Sequence, residues 1–308
     1  MACQSVRDTA NRGLMDAPDG YGLRMANVVA SVIIPARDAA ATIGEQLAGL
    51  ALQDATVAWE VVVVDNGSGD ETVAIARSFA DRLPLLTVTS CARPGANAAR
   101  NVGASVAAGQ FLLYCDADDV VAPGWVAAMV DALATYDVVG GLIDNDSLGT
   151  GAMQRHPPGV PVAAGFLPRA ITANLGVRRA AWEHVGGFAE DYEYGCTDTE
   201  FCWRLQLAGY AIGYADGAVV AYRHRGTLRS AAKKAYLTGR ARGRLFRDFH
   251  PFGMPRPRLA GVAVRWARIV VVTPLVPFSR RARWWWAVEA AGAAGRVAGS
   301  RKFGVRYL

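Results

Sequence analysis

The run Phe-Leu-Leu-Tyr-Cys-Asp-Ala-Asp-Asp, residues 111–119, passes from a buried-strand pattern directly into three carboxylates. Two earlier apolar runs end in the same way. Ser-Val-Ile-Ile-Pro-Ala-Arg-Asp (31–38) closes on Asp38, and Val-Val-Val-Val-Asp-Asn-Gly-Ser-Gly-Asp-Glu-Thr (61–72) turns polar at Asp65. Ala-rich helical stretches separate these β-branched runs, which is the pattern of βαβ units around a mainly parallel sheet. Strands are expected over 31–35, 60–65, 85–89, 111–115 and 137–141, and helices over 40–50, 70–81, 96–108 and 123–135, with Asp70 at the start of the second. In an open sheet of this kind ligands bind beyond the carboxyl ends of the strands, where all these acids fall. Asp116-Ala117-Asp118 is a DxD, whose alternate carboxylates offer hard oxygen ligands to Mg²⁺ or Mn²⁺ while substrate phosphates complete the shell. A solvated acidic turn or a helix cap is the competing reading of the same residues.

Outward from this block the rhythm changes. Residues 144–170 are rich in Gly and Pro and predict an irregular loop. Beyond it a strand is expected over 172–177, helices over 179–185 and 198–208, and strands over 211–214 and 218–222. Five cysteines, Cys3, Cys91, Cys115, Cys196 and Cys202, include no CxxC pair and suit a reducing cytosol. Residues 1–26 are polar, carry no signal-peptide pattern and are expected to be a disordered extension, with Met25 an alternative start.

The formal charge of +6 conceals a division. Residues 1–222 hold 13 basic and 25 acidic side chains, whereas residues 223–308 hold 20 basic and 2 acidic. The basic quarter calls for an anionic partner such as phospholipid, a lipid diphosphate or nucleic acid. No helix-turn-helix, RNA-recognition or zinc module accompanies it, so nucleic acid is not expected. A helix is expected over 228–250. The apolar stretch 259–278 is interrupted by Arg265 and Arg268 and broken by Pro274 and Pro277, short of the roughly 20 apolar residues of a membrane-crossing helix. Arg280, Arg281 and Arg283 follow with Trp284, Trp285 and Trp286, cations and indoles suited to a headgroup region. Two readings stand: peripheral attachment to the inner face of the cell membrane, or packing of these helices on the rest of the chain.

Taken in order, the runs 31–38 and 61–72, Ala-Ala-Arg-Asn-Val-Gly (98–103) and Tyr-Cys-Asp-Ala-Asp-Asp (114–119) resemble the large family-two inverting glycosyltransferases. Gly-Gly-Phe (186–188), Thr-Asp-Thr-Glu-Phe-Cys-Trp-Arg-Leu (197–205) and Ala-Gly-Tyr (208–210) extend the resemblance to roughly residues 30–225. It implies an α/β fold of GT-A type, the nucleotide-diphospho-sugar transferase fold, with a mainly parallel central sheet and a helical C-terminal extension. The catalytic domain would span 27–225, with a nucleotide-binding half at 27–141 and an acceptor half at 142–225, and the basic helical extension would span 226–308. The implied reaction moves a sugar from a nucleotide-sugar donor, by default a UDP-sugar, to a hydroxyl of a carbohydrate or lipid-linked acceptor, with inversion and with Mn²⁺ or Mg²⁺ as cofactor.

Carried over position by position, the resemblance places Pro35, Ala36 and Asp65 around the nucleobase and ribose, with Asp38 and Ala117 in the same nucleotide-sugar site. Asp118 would hold the metal, Asp116 would serve metal or ribose, Arg100 would lie near the phosphates, and Arg93 would help close the pocket. Asp198 would be the general base that removes the acceptor proton. Thr197 stands where many relatives carry Glu, which keeps the base but changes the acceptor side.

The residues themselves leave other readings open. Arg100 also suits a helix surface, and Asp198 also suits an N-cap. His224 fits a metal ligand, a diphosphate contact or a surface histidine. Trp182, Phe188, Tyr192, Tyr194 and Trp203 fit core packing as well as sugar stacking. A non-catalytic sugar-nucleotide-binding or scaffold protein is the alternative to an enzyme. No Gly-rich phosphate loop follows the first strand, which disfavours a nucleotidyltransferase, and no GxGxxG turn is present for hydride transfer.

Overall fold

The computed structural model describes residues 28–148, 156–192, 194–224 and 227–308, so the expected extension over 1–26 lies outside the described residues. Ten strands occur among them: β1 (Ala30–Ala36), β2 (Trp59–Asp65), β3 (Leu86–Ser90), β4 (Phe111–Tyr114), β5 (Val120–Val121), β6 (Val138–Asp144), β7 (Val162–Ala163), β8 (Leu167–Pro168), β9 (Leu175–Arg178) and β10 (Ile212–Ala221). The helices are α1 (Ile43–Ala51), α2 (Thr72–Arg77), α3 (Ala96–Val106), α4 (Trp125–Thr135), α5 (Arg179–His184), α6 (Thr197–Leu207), α7 (Leu228–Phe249), α8 (Leu259–Val272) and α9 (Arg280–Lys302). Eight strands form one sheet in the order β3-β2-β1-β4-β9-β6-β10-β5, and β7 pairs with β8 in a separate hairpin. Strands β3, β2, β1 and β4 run parallel. β9 enters antiparallel between β4 and β6, β10 runs parallel to β6, and β5 closes the far edge antiparallel. The mainly parallel sheet and the helical C-terminal extension are as the sequence leads one to expect.

Helices cover both faces, which is why 61–64 reads as an unbroken valine run rather than an alternating one. Val61 and Val63 pack toward Ile43, Leu47, Trp125 and Met129, whereas Val62 and Val64 pack toward Ala98, Ala99 and Phe201. α3 lies so close that a Cβ at Gly103 would come 2.4 Å from Ile33 Cγ2. That approach carries Arg100, one turn earlier, to the carboxyl edge of the sheet.

Pro35 shapes the same edge. Pairing of β1 with β4 ends at Ile33 and Tyr114, while pairing with β2 continues to Ala36 and Asp65. The Ile33 carbonyl accepts from the Cys115 N–H, so Pro35, two residues on, turns its missing donor to the side β4 has left. The two strands part there, and the acidic run beginning at Asp116 lies at the mouth of the gap.

Local departures from expectation have identifiable causes. The strand expected over 172–177 opens instead with a 3₁₀ turn at Thr172–Asn174. The turn aims the buried Asn174 amide at the Leu142 and Ala218 carbonyls (3.0 and 2.8 Å) and at the Trp125 indole N–H (2.8 Å). The two strands expected over 211–222 are one strand, β10, whose register with β6 shifts between Ala215 and Val219, a bulge around Asp216 and Gly217. The helix expected over 70–81 is only α2. Asp70 lies just ahead of it and accepts from the Thr72 N–H at 3.1 Å and the Ala40 N–H at 3.0 Å.

α7 docks through Leu245, Phe246 and Phe249, which join Tyr192, Trp203, Met254 and Tyr307 in a buried cluster. α9 runs alongside α7 in the same direction along a seam of glycines. A Cβ at Gly239 would meet the Gly292 carbonyl at 2.3 Å, one at Gly295 the Tyr236 carbonyl at 2.1 Å, and one at Gly299 the Arg240 carbonyl at 2.3 Å. Small residues at this spacing let helix backbones touch. Gly295→Ala is therefore expected to lower the thermal midpoint by about 5 °C through forced separation of the helices. Gly292→Ala, whose Cβ would sit 3.8 Å from the Ala235 carbonyl, should leave it unchanged or raise it. Scanning calorimetry of the two variants separates the outcomes; equal midpoints would contradict the tight seam. No helix among the described residues is long and apolar enough to cross a membrane.

Candidate active site

Asp116, Asp118 and Asp119, on the turn after β4, each offer a carboxylate oxygen within 4.8 Å of the others. The turn is held from several sides. Gln46 of α1, fully buried, donates to the Asp116 carbonyl at 3.2 Å and accepts from the Val121 N–H at 2.9 Å. Arg100 is 5% exposed and donates to Asp116 Oδ1 at 2.8 Å, so it is an interior cation rather than a helix-surface one. Arg223, two residues after β10, donates its backbone N–H to Asp119 Oδ1 at 2.7 Å and its Nε–H to the Asp118 carbonyl at 2.8 Å. Its Nη2 reaches Glu45 at 2.7 Å.

Asp119 is 1% exposed, and burial, with the charges of Asp116 and Asp118 beside it, pushes its carboxyl up to about 9. Its Oδ2 is buried without a hydrogen-bond partner. A divalent cation answers both features, since it gives the orphaned oxygen a ligand bond and compensates three crowded carboxylates. The all-oxygen donor set suits Mg²⁺ or Mn²⁺. Asp118, with Asp116 and Asp119, would hold the ion. His224 is not part of this group: its Nε2 lies 3.2 Å from Asn145 Oδ1 and its ring stacks on His156.

Pro35, Ala36, Asp38 and Asp65 gather at the ends of β1 and β2, on the other side of the gap. Asp65 accepts from the N–H groups of Gly67 and Ser68 in its own turn (3.3 and 3.1 Å). Asp38, at φ +49°, accepts from the Gly69 N–H at 2.9 Å, while its own N–H donates to Ser68 Oγ at 3.0 Å. The buried Asn66 binds this corner to the next loop, accepting from the Gly95 N–H at 2.7 Å and donating to the Arg93 carbonyl at 2.8 Å. Arg93 projects into solvent and pairs with Glu190 at 2.9 Å. Ala117 is buried within the acidic turn.

Asp198 stands in the first turn of α6, two residues after Cys196, which occupies the N-cap position. Asp198 Oδ2 lies 3.2 Å from Arg169 Nη1 and Oδ1 accepts from the Thr199 N–H at 2.7 Å. Glu200 is committed elsewhere: it pairs with Arg204, which also donates to the Val185 and Gly187 carbonyls. Of the aromatics in this region, Phe188, Tyr192 and Trp203 are buried, and Trp203 donates its indole N–H to the Leu167 carbonyl at 2.9 Å. Tyr194 is exposed.

Tyr222, just after β10, and His156, ahead of β7, pack against each other. Their rings lie 4.9 Å apart. Burial, reinforced by Asp116, Asp119 and Asp118, raises the Tyr222 phenol far above its ordinary range. Burial lowers His156 to about 4, with Lys234, Arg169 and His224 adding to the effect and Asp198 opposing it. A histidine depressed in the folded state is neutral in both states above its ordinary value of 6.5. As pH falls through 6.5 the unfolded chain takes up a proton that the folded one refuses until about 4, so stability falls across that window. His156→Gln is expected to flatten the decline in thermal midpoint between about pH 6.5 and pH 4; a curve parallel to wild type would contradict the neutral buried imidazole.

The site thus combines an acidic turn at the carboxyl end of the central strand β4 with an arginine-paired aspartate on the later helix α6. The chain matches the model of glycosyl transferase family 2 over residues 31–187 and belongs to that family. Glycosyltransferase AglE of Haloferax volcanii is 31% identical over 200 residues, covering 61% of this chain and 65% of that protein. A poly(ribitol-phosphate) β-N-acetylglucosaminyltransferase, TarS of Staphylococcus aureus, is 38% identical over 95 residues, 30% of this chain and 16% of the relative. The chain thus spans less than two thirds of these relatives' length. The GT-A fold is shared with the mannosyltransferase PcManGT from Pyrobaculum calidifontis, solved with GDP-Man and Mn²⁺, at a TM-score of 0.65 and 22% identity over 92% of this chain and 89% of that one.

Proposed function

We propose that the protein transfers a glycosyl group from a nucleotide-diphosphate sugar, by default a UDP-sugar, to a hydroxyl of a carbohydrate or lipid-linked acceptor, in one displacement that inverts the anomeric centre. The observations that carry this reading are the acidic turn, where the buried Asp119 Oδ2 lacks a partner that a cation would supply, and the separate carboxylate of Asp198 held by Arg169. Pro35, Ala36 and Asp65 line the base and ribose, with Asp38 and Ala117 beside them and Arg93 at the rim. Arg100 holds Asp116 in place and leaves Asp118 as the outward ligand. When bound, a divalent cation supplies Lewis-acid neutralisation of the departing diphosphate. Asp198, its carboxylate directed by Arg169, takes the acceptor proton as the hydroxyl oxygen attacks. His224, stacked on His156, is assigned a contact to the diphosphate.

The reaction is assigned to cell-envelope polysaccharide or glycolipid synthesis on the cytoplasmic side of the membrane. Similarity to a transferase named for poly(ribitol-phosphate) and the basic character of residues 226–308 support that setting. The test is a panel of UDP-, dTDP- and GDP-sugars with Mn²⁺ or Mg²⁺ and membrane extract, reading nucleotide diphosphate release and, by NMR, the anomeric configuration of the product. Release with an inverted linkage supports the proposal, and a retained linkage overturns the single displacement. Donor binding with no turnover in any extract points instead to a sugar-nucleotide-binding scaffold.

A further inference from the structure

We infer that α8, with the turn that joins it to α9, is an anchor that lies in the plane of an anionic lipid bilayer with its apolar face turned away from the protein. This deepens the membrane setting proposed above and stands apart from the chemistry of the site. A helix as apolar as Leu-Ala-Gly-Val-Ala-Val-Arg-Trp-Ala-Arg-Ile-Val-Val-Val normally buries its apolar side against the fold. Here the order is reversed. Ile269 is the buried residue of α8, whereas Leu259, Val264, Trp266, Val270 and Val271 are exposed, and Leu275 and Phe278 continue the exposed surface beyond it. At 3.6 residues per turn the exposed apolar side chains fall on one arc without a charge, and Arg265 and Arg268 sit at its border toward α9. Soluble monomers rarely leave a continuous apolar surface of this kind in water.

Charge selects the occupant. Between residues 255 and 288 the sequence has seven arginines and neither an acidic residue nor a lysine. A second copy of the chain would set these arginines against their own kind, whereas anionic headgroups above a hydrocarbon layer complement both the ring of cations and the apolar arc. The 14 residues of α8 are too few to cross the hydrocarbon core, so the helix lies along it. The hairpin is already braced for this. Trp286 donates its indole N–H to Thr273 Oγ1 at 3.0 Å, and Arg283 caps the Val276 and Pro277 carbonyls at 3.4 and 3.3 Å. Arg268 stacks over Trp285 of α9, 5.5 Å from the ring centre, which holds its cation at the border of the apolar arc.

The experiment is co-sedimentation of the full chain with phosphatidylcholine vesicles, with and without phosphatidylglycerol, alongside donor hydrolysis and sedimentation velocity. Wild type is expected to pellet with the anionic vesicles and to stay in solution with the neutral ones. Arg280→Gln with Arg281→Gln, both exposed, should weaken partitioning by about twentyfold. Val270→Asp with Val271→Asp should abolish it while donor hydrolysis and the melting curve stay as in wild type. Wild type that fails to pellet, pellets equally with neutral vesicles, or is matched by the aspartate pair would overturn the anchor. So would a dimer in buffer that the aspartate pair dissociates, since the face would then belong to a second copy. Loss of donor turnover in wild type bears on the proposed function and leaves the vesicle result standing.

Discussion

Asp198→Asn is expected to lower acceptor-dependent nucleotide diphosphate release by about a thousandfold, within the range of a positioned general base. The substitution is nearly isosteric. An asparagine oxygen can still accept from the Thr199 N–H, so the first turn of α6 keeps its geometry while the proton acceptor disappears. Donor affinity, measured by calorimetric titration, should stay within a factor of about two, because the base is assigned to the acceptor and its carboxylate is engaged by Arg169 and the Thr199 N–H. Turnover close to wild type would make Asp198 a structural residue of the helix start.

Asp118→Ala is expected to reduce metal-dependent turnover by a similar factor, about a thousandfold, equivalent to several kcal/mol of leaving-group stabilisation. Donor binding should weaken in the presence of Mn²⁺ and be unaffected in EDTA, a pairing of readouts that a merely destabilised turn would not give. Asp118 is the informative position because it is the exposed member of the three, whereas Asp116 holds the buried Arg100 and Asp119 is itself buried. Asp116→Ala would strand a buried guanidinium, whose Nε already lacks a partner, at a cost of about 3–5 kcal/mol. Loss of activity in that variant would therefore confound folding with chemistry. Unchanged Mn²⁺ dependence in Asp118→Ala would return the DxD to a solvated turn.

Much of this was legible because the relevant signals are local. Strands buried on both faces read as unbroken β-branched runs, and an acid that ends such a run marks the carboxyl edge without any knowledge of partners. The partners themselves were not legible. Arg169 lies 29 residues from Asp198, and Arg223 reaches back 105 residues to the Asp118 carbonyl; nothing in hydrophobic period or turn chemistry encodes such contacts. Gln46 reads as one polar residue in an amphipathic helix, although it is fully buried and fixes the acidic turn. The two-residue β5 is too short to carry a pattern, and the β10 bulge divides one strand into two apparent runs. For residues 259–286 the sequence left membrane attachment and packing side by side. Its composition could not say that the apolar arc of α8 faces outward, because that depends on where α9 sits.

The glycine seam between α7 and α9 has a mechanical meaning. The hairpin that carries α8 leaves from the end of α7 and returns along α9, whose far end leads to Tyr307, packed on Phe246 in the cluster that contains Trp203 of α6. Both roots of the hairpin are thus clamped to the helix whose first turn bears Asp198. The 23 residues of α9 make a strut about 35 Å long, and its close packing on α7 fixes where the hairpin stands relative to α6. Adding or removing one turn of that strut ahead of the glycine seam would shift the tip of the hairpin by about 5 Å relative to α6, with every residue around Asp118 and Asp198 left as it is.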